Sequence, residues 1–541
     1  MMICFSVVVM TAGNNLVSDP ANLRGHDFTN PIIPSDYSDP DVVSSPDGKT
    51  FYMTASSFQC TPGLPILKSN DLVNWRLVNY ALPAVPPIDY YKEGPRHGKG
   101  VWAPSIRYHD GEYYIFYGDP DYGVFMLKAT DPEGSWSDPL LIWEGKGIID
   151  TTPLWDEDGR AYLVNAWAAS RSGFNSILNV SEMSPDGTRL LSGPRIVFDG
   201  NDGVNHTVEG PKFYRRGEYY YILAPAGGVE KGWQLALRSK NVYGPYESKI
   251  VMAQGDTDIN GPHQGGWVTT ADGEDWFLHF QDQGPYGRVI HLNPLHWADG
   301  WPVIGLDADG DGCGQPVRKF KKPSIARDIA AETPAEDDPI LYEWHANYSD
   351  FYGFPIPDGL MRLYGHRLSD DYVNMWEVPN LWLQKFPARS FTFTAQVRVS
   401  AKENSNGASS GIIVMGWDYA RLGLVKRGEG FELQLTTCTD AEQGGKGQTH
   451  DIAPIAASRV YGAGSKANVE CDIWLRVKVT DDAVCHFSYS LNGKKFTDIP
   501  LTFKAREGKW IGAKVGFYST VPHGVHDRGW IDVITSITKK N

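Results

Sequence analysis

Positive charge is in the minority along this sequence. Lys and Arg total 50 against 65 Asp and Glu, the formal net charge is −15, and no run of five or six basic residues occurs. That makes nucleic acid and anionic membranes poor partners and favours a neutral or weakly acidic substrate. There is no apolar run of 18 residues, so no transmembrane helix is expected. Cysteine is scarce. The six residues Cys4, Cys60, Cys313, Cys438, Cys471 and Cys485 form no C-x-x-C pair, which removes the usual zinc and redox motifs. Cys471 and Cys485 are placed on adjacent strands by this reading, but the count leaves the redox compartment open. Helical periodicity is also scarce, and short apolar runs separated by Asp-Gly turns take its place, which predicts an all-β chain.

What is present fits that class. A chain of 541 residues is too long for one core, so two or three domains are expected. The 57 Gly and 36 Pro are spread along the chain, as many turns require. Trp at 18 and Tyr at 27 are plentiful; such flat rings stack on sugars, and they also fill β-rich cores. Residues 1–20 read as a signal-like segment or an N-terminal arm. Met1 to Gly13 has an apolar core and a small-residue end but lacks a basic start. A periplasmic or secreted location is the resulting expectation.

A repeat organises residues 28–320. Five turn glycines, Gly48, Gly111, Gly159, Gly217 and Gly273, are each followed three residues later by an aromatic: Phe51, Tyr114, Tyr162, Tyr220 and Trp276. Asp-Gly supplies the positive φ of a tight hairpin turn, and the aromatic marks the strand after it. The glycine spacings are 63, 48, 58 and 56 residues, somewhat longer than a ~40–50-residue propeller blade. Five such units predict a five-bladed β-propeller. Asp299-Gly300 follows too soon to open another blade and is read as a further hairpin of blade five.

Eight to ten residues before each glycine stand Asp39, Trp102, Asp150, Glu209 and His263, every one near a Pro or Gly. Each is expected to open the innermost strand of its blade, which brings three carboxylates, a Trp and a His to one rim of the axis. A single Asp before Pro is more often a turn residue; three carboxylates at one repeat phase point to chemistry. Hydrolysis of a glycosidic bond needs an acid for the leaving oxygen and a carboxylate that activates water or attacks the sugar. A third carboxylate raises the acid's pKa by like-charge repulsion. Glu209 has the longer reach, but spacing alone does not assign the roles.

Residues 321–340, polar and Pro-containing, read as a linker. Residues 341–541 read as a β-sandwich. Phe391, Phe393, Ala395, Val397 and Val399 alternate with polar partners, and apolar segments follow at 411–415, 432–435, 473–479 and 515–518.

In this order the residues resemble glycoside hydrolase family 43. The resemblance rests on Asn30-Pro31, Asp39-Pro40-Asp41-Val42, Phe58 to Gly63, Ser69 to Trp75, Gly100 to Ser105, Ile149-Asp150, Glu209-Gly210-Pro211 and Gly287-Arg288. The C-terminal region resembles the concanavalin-A-like (jelly-roll) sandwich of the family's xylosidase-like branch, where this domain sends a loop toward the active-site rim. The resemblance implies Asp39 as general base, Glu209 as general acid and Asp150 as the residue that orients Glu209 and tunes its pKa. It implies single-step inversion, for which the base-to-acid gap is ~6.5–9.5 Å. Phe58 and Trp102 would wall the sugar pocket, and Arg288 would bind the sugar near Asp150. His263 would touch a structural calcium in the propeller channel through or beside water; no cofactor is otherwise required. Core packing for Trp102, a structural salt bridge for Arg288 and a metal-free hydrogen-bonded role for His263 stay open. Asp150 is followed by Thr-Thr-Pro, where many relatives have Pro-Ser.

The implied activity is exo-hydrolysis of terminal pentose from plant cell-wall hemicellulose, arabinoxylan or xyloglucan. The reading leans to α-L-arabinofuranose, with β-1,4-xylosidase as the alternative and a non-catalytic glycan-binding propeller as a third. The oligomeric state is left open. Asp307 to Gly312 imitates the start of an EF-hand loop, but Arg318 stands at the twelfth position and Pro316 interrupts the expected helix. It is read as an acidic turn.

Overall fold

The structure is a computed structural model, and it describes residues 14–328, 336–349, 351–357, 361–462, 464 and 467–540. The signal-like segment Met1 to Gly13, with Cys4, and the centre of the expected linker lie outside the described residues.

Five four-stranded antiparallel sheets form the N-terminal part, and within each the strands follow chain order. The innermost strands are Asp41–Ser44, Trp102–His109, Ile148–Trp155, Lys212–Arg216 and His263–Thr269. The five repeat aromatics all fall in the second strand of their blades, directly after the hairpin turn. Asp299-Gly300 joins the last two strands of blade five, Arg288–Ala298 and Trp301–Ile304. Aromatic and branched side chains fill the spaces between blades; Phe51, Tyr114, Tyr162 and Trp276 are all buried.

The ring is closed by its N-terminal segment. Asp27–Thr29 pairs with Lys319–Lys321, and Ile33 bridges to Ile290 in blade five. Asn30 holds the join. Its side-chain amide donates to the carbonyls of Leu292 and Val317, both at 2.8 Å, and its Oδ1 accepts from the Leu292 N–H at 2.9 Å. Blade five therefore lies beside blade one.

The C-terminal part is a sandwich of two eight-stranded sheets. The strand Phe391–Lys402 has the alternating burial its sequence predicts. Phe391, Phe393, Ala395, Val397 and Val399 share one apolar core with Leu422, Leu433, Leu475 and Phe517. Full burial of such a side chain contributes about 2 kcal/mol. Cys471 and Cys485 do lie on neighbouring strands, but Cys485 is opposite Val479, far along the ladder from Cys471, and both are free thiols.

The two parts are joined by directional contacts as well as packing. Thr61 and Trp344 exchange backbone hydrogen bonds. Asn347 brackets Val85 through its side chain, and the Gly512 N–H donates to Asp36. These contacts bring the sandwich loop 506–513 over one mouth of the propeller channel.

Candidate active site

Each inner strand starts with the same distortion. Asp39, Ala103, Asp150 and Gln264 adopt left-handed backbone with φ of 56°, 32°, 58° and 33°, and Gly210 takes the matching place in blade four at 57°. The pairing register slips next to three of them. A β-bulge bends the strand and re-aims its side chains. A non-glycine residue held in this region costs about 1–3 kcal/mol. The strain recurs at the same place in four blades, and its effect is to turn five blade starts toward one channel mouth.

At that mouth is a cavity of about 220 Å³, room for one small sugar. Asp39, Asp150 and Glu209 line it together with Phe58, Trp102, His263 and Arg288. Trp510, carried by the sandwich, closes one side and separates it from a second cavity of about 370 Å³.

The carboxylates have distinct surroundings. Asp39 is buried, accepting from the Ser56 hydroxyl at 2.6 Å on one oxygen and facing Arg288 Nη1 at 3.4 Å on the other. Donors on both oxygens fix its orientation. Glu209 is one-third exposed in its side chain and lies 2.9 Å from His263 Nε2. That contact serves either protonation state: Nε2–H donates to the carboxylate, and a bare Nε2 accepts from the acid. Asp150 is buried and accepts the Gly210 N–H at 2.8 Å. Its pKa is pushed well above the usual carboxylate range, first by burial, then by the nearby charges of Glu209 and Asp39. Behind them lies Lys212, fully buried, with Nζ donating to the Pro104 carbonyl at 2.9 Å and 4.0 Å from Asp41. Burial drives its pKa down and Asp41 opposes the fall. Its charge also acts on Asp150 and Asp39, adding to the Arg288 guanidinium beside Asp39.

Two carboxyl groups facing one sugar-sized cavity can deliver a proton to a leaving oxygen and take one from water. The sequence profile of the glycosyl hydrolases family 43 matches residues 28–302, and that of the beta-xylosidase C-terminal concanavalin A-like domain matches residues 339–534. The chain belongs to glycosyl hydrolase family 43. A putative beta-xylosidase of Xylanibacter ruminicola is 34% identical over 492 residues, spanning 89% of this chain and 85% of its own length. A non-reducing end alpha-L-arabinofuranosidase of Bacteroides ovatus is 32% identical over 329 residues, 58% of each chain. The crystal structure of a xylan beta-1,4-xylosidase from Bacillus halodurans shares the fold, with a TM-score of 0.79 at 21% identity, covering 95% of this chain and all of that one.

In this family 43 chain all seven sequence-selected residues reach the cavity. Arg288 pairs with Asp39 at 3.4 Å and has Asp282 at 3.9 Å, while Asp150, near which the sequence placed it, lines the same cavity. Ring closure is the reason for the Asp39 pair. Arg288 opens the third strand of blade five, which adjoins blade one and Asp39, whereas Asp150 belongs to blade three. Trp102 is half-buried as a wall, its Nε1 anchored on the Gly98 carbonyl at 2.9 Å. Sequence reasoning missed Ser56, Lys212, Gln264 and Trp510. Gln264, beside His263 at the repeat phase, was the one with a usable signal.

Calcium takes six to eight oxygen ligands. His263 spends Nε2 on Glu209, and its Nδ1 has no protein partner. His279 and His291, on the next strands of the same blade, stack with ring centroids 5.3 Å apart. Burial lowers His279 to about 4 and pushes His291 down as well, so both rings are neutral nitrogen donors. None of these three rings offers an oxygen, so a calcium beside His263 would draw its oxygen ligands from water, as the expected water-mediated contact implies. Among the described residues, one triad of acidic or His/Cys ligand atoms converges: Asp307, Asp309 and Asp311. Asp307 accepts the N–H groups of Gly310 and Gly312 and Asp311 that of Cys313, so the segment is an acidic turn.

Proposed function

We propose that this protein is an exo-acting β-D-xylosidase that releases terminal xylose from xylo-oligosaccharides by single-step inverting hydrolysis. The observation that carries this reading is a cavity for one sugar, lined by three carboxylates and closed by Trp510. In it Glu209, the most exposed acid, protonates the leaving oxygen. Asp39, held by Ser56 and Arg288, takes a proton from the attacking water. Asp150 sits behind Glu209 and holds the Gly210 backbone, acting as a positioning residue. His263 exchanges its hydrogen bond with Glu209 as the acid loses and regains its proton. No step passes through a metal.

The choice of xylose rests on the Xylanibacter relative, which matches across both domains, while the arabinofuranosidase relative matches over little more than half the chain. That weighs against the arabinofuranose lean of the sequence. α-L-Arabinofuranosidase activity is the second reading, because the two pentoses present similar hydroxyls to one pocket.

The test compares hydrolysis of aryl β-D-xyloside and aryl α-L-arabinofuranoside by the wild type and Glu209→Gln. The wild type is expected to favour the xyloside. The variant should lose about 10²–10⁴-fold on poor leaving groups, and less on activated ones that depart without a proton. An unchanged rate in the variant removes Glu209 as the acid, and preference for the arabinofuranoside installs the second reading.

A further inference from the structure

Between propeller and sandwich lies a buried cluster that the hydrolytic site does not use. Cys60, from blade one, is 1% exposed. Lys514, the first residue of the strand Lys514–Val521, is 2% exposed and points its Nζ at Cys60 Sγ from 3.0 Å. Lys514 also pairs with buried Glu343, on the strand Tyr342–Trp344. Lys385 lies opposite Lys514 on the neighbouring strand, with its Nζ 3.8 Å from the same carboxylate. Two lysines therefore share one counter-ion, and the thiol sulfur fills a remaining contact of Lys514. A buried lysine is better served by a hydroxyl or carbonyl oxygen, which accepts hydrogen bonds more strongly than sulfur. What this arrangement offers is an amine nitrogen, a thiol and a proton acceptor within direct contact.

We propose that Cys60 and Lys514 become covalently joined through a single oxygen atom, Sγ–O–Nζ, when the protein meets dioxygen. The Cys60 thiol adds dioxygen to give a sulfur-bound hydroperoxide. Cys60 and Glu343 hold Lys514 as the ammonium against its burial, so its proton passes to the outer peroxide oxygen as the nitrogen lone pair attacks the oxygen bound to sulfur, and Glu343 takes the proton that the new N–O bond then sheds. The O–O bond breaks, and the departing hydroxide leaves as water with a proton from the nitrogen side. Thiol, amine and dioxygen become the bridge and one water. Sulfur and nitrogen each give up two electrons, and dioxygen takes all four. Burial pushes the Cys60 thiol up, so a thiol rather than a thiolate starts the sequence. Burial also shields the intermediate from solvent and from larger oxidants. A dithiol acting on unfolded protein reverses the bridge, returning thiol, amine and water.

The position gives the bond a consequence. Cys60 is two residues from Phe58, which lines the sugar cavity, and Lys514 is four residues from Trp510, which closes it. The bridge staples the wall of one domain to the cap of the other across 454 residues of chain. It restricts the unfolded chain as a long-loop disulfide does, and it fixes the spacing of the two aromatic faces.

The test uses the full chain, prepared in air-saturated buffer and, separately, without oxygen in the presence of a dithiol. Bridged protein gains the mass of one oxygen less two hydrogens. Its tryptic map joins the Cys60 and Lys514 peptides and loses cleavage after Lys514. The melting temperature rises by several degrees over the reduced form. Cys60→Ser and Lys514→Arg show neither the mass gain nor the oxygen-dependent shift. Full alkylation of Cys60 in the unfolded air-exposed protein overturns the proposal, as does sulfinic acid at Cys60 with no cross-linked peptide. If Lys514→Arg does not fold, the two wild-type preparations decide the matter alone.

Discussion

Asp150 shows how function sets the energetics of a single residue. It sits buried beside two other acids with left-handed backbone, and among the described residues only the Gly210 N–H donates to it. Its folded pKa lies above the ordinary value of about 3.9. Such a group favours the folded state most fully below that ordinary value and loses the contribution as pH rises through the folded pKa. At neutral pH it is a liability. Asp150→Asn keeps the shape and an acceptor for Gly210 while removing the charge. The variant should be more stable than wild type by about 1 kcal/mol at neutral pH, and the difference should shrink as pH falls. Activity should drop sharply, because the neighbour that tunes and orients the acid is gone. Urea midpoints across a mildly acidic to neutral series check this; a variant less stable than wild type at neutral pH contradicts it.

At the scale of an element, the bulge that begins each inner strand is what turns a repeat into a site. Gly210 is the sharpest case. A Cβ there would stand 2.5 Å from Gln264 Cγ, and its φ of 57° disfavours any side chain. Gly210→Ala should lose about 1–3 kcal/mol of stability. It should also lower kcat/KM, because the displaced N–H no longer holds Asp150. Wild-type urea midpoints and kinetics in this variant would refute the coupling of strain and chemistry. The repeat phase of Asp39, Trp102, Asp150, Glu209 and His263 was legible because one hairpin period recurs in all five blades. The bulge was not, since Ala103 and Gln264 give no sign in their types that they take positive φ. Nor was Lys212 recognisable, as a lysine directly after Gly-Pro punctuation usually faces solvent. The Arg288–Asp39 pair depends on which blades adjoin after closure, and no local pattern encodes that.

The whole molecule completes the cavity only by joining its two domains. A family resemblance supplied the expectation of a sandwich loop at the rim, but 450 residues of intervening fold decide that Trp510 is the residue that arrives. Trp510 is half exposed at 50%, adopts φ of 64° and stands between the two cavities, with the Arg288 guanidinium 5.9 Å from its ring. A large ring left this open does little for folding and is available to a ligand. Trp510→Ala should therefore change stability by no more than about 0.5 kcal/mol. The loss should fall on substrate binding: KM for aryl xyloside rising about tenfold, as removal of roughly 1–1.5 kcal/mol of aromatic contact implies. The kcat should fall less, because Asp39, Glu209 and Asp150 all belong to the propeller and stay in place. KM, kcat and a melting curve on one preparation separate these effects. An unchanged KM with a large loss of kcat would mean that the sandwich acts on the carboxylates themselves, and the division into a reacting propeller and a closing sandwich would fail.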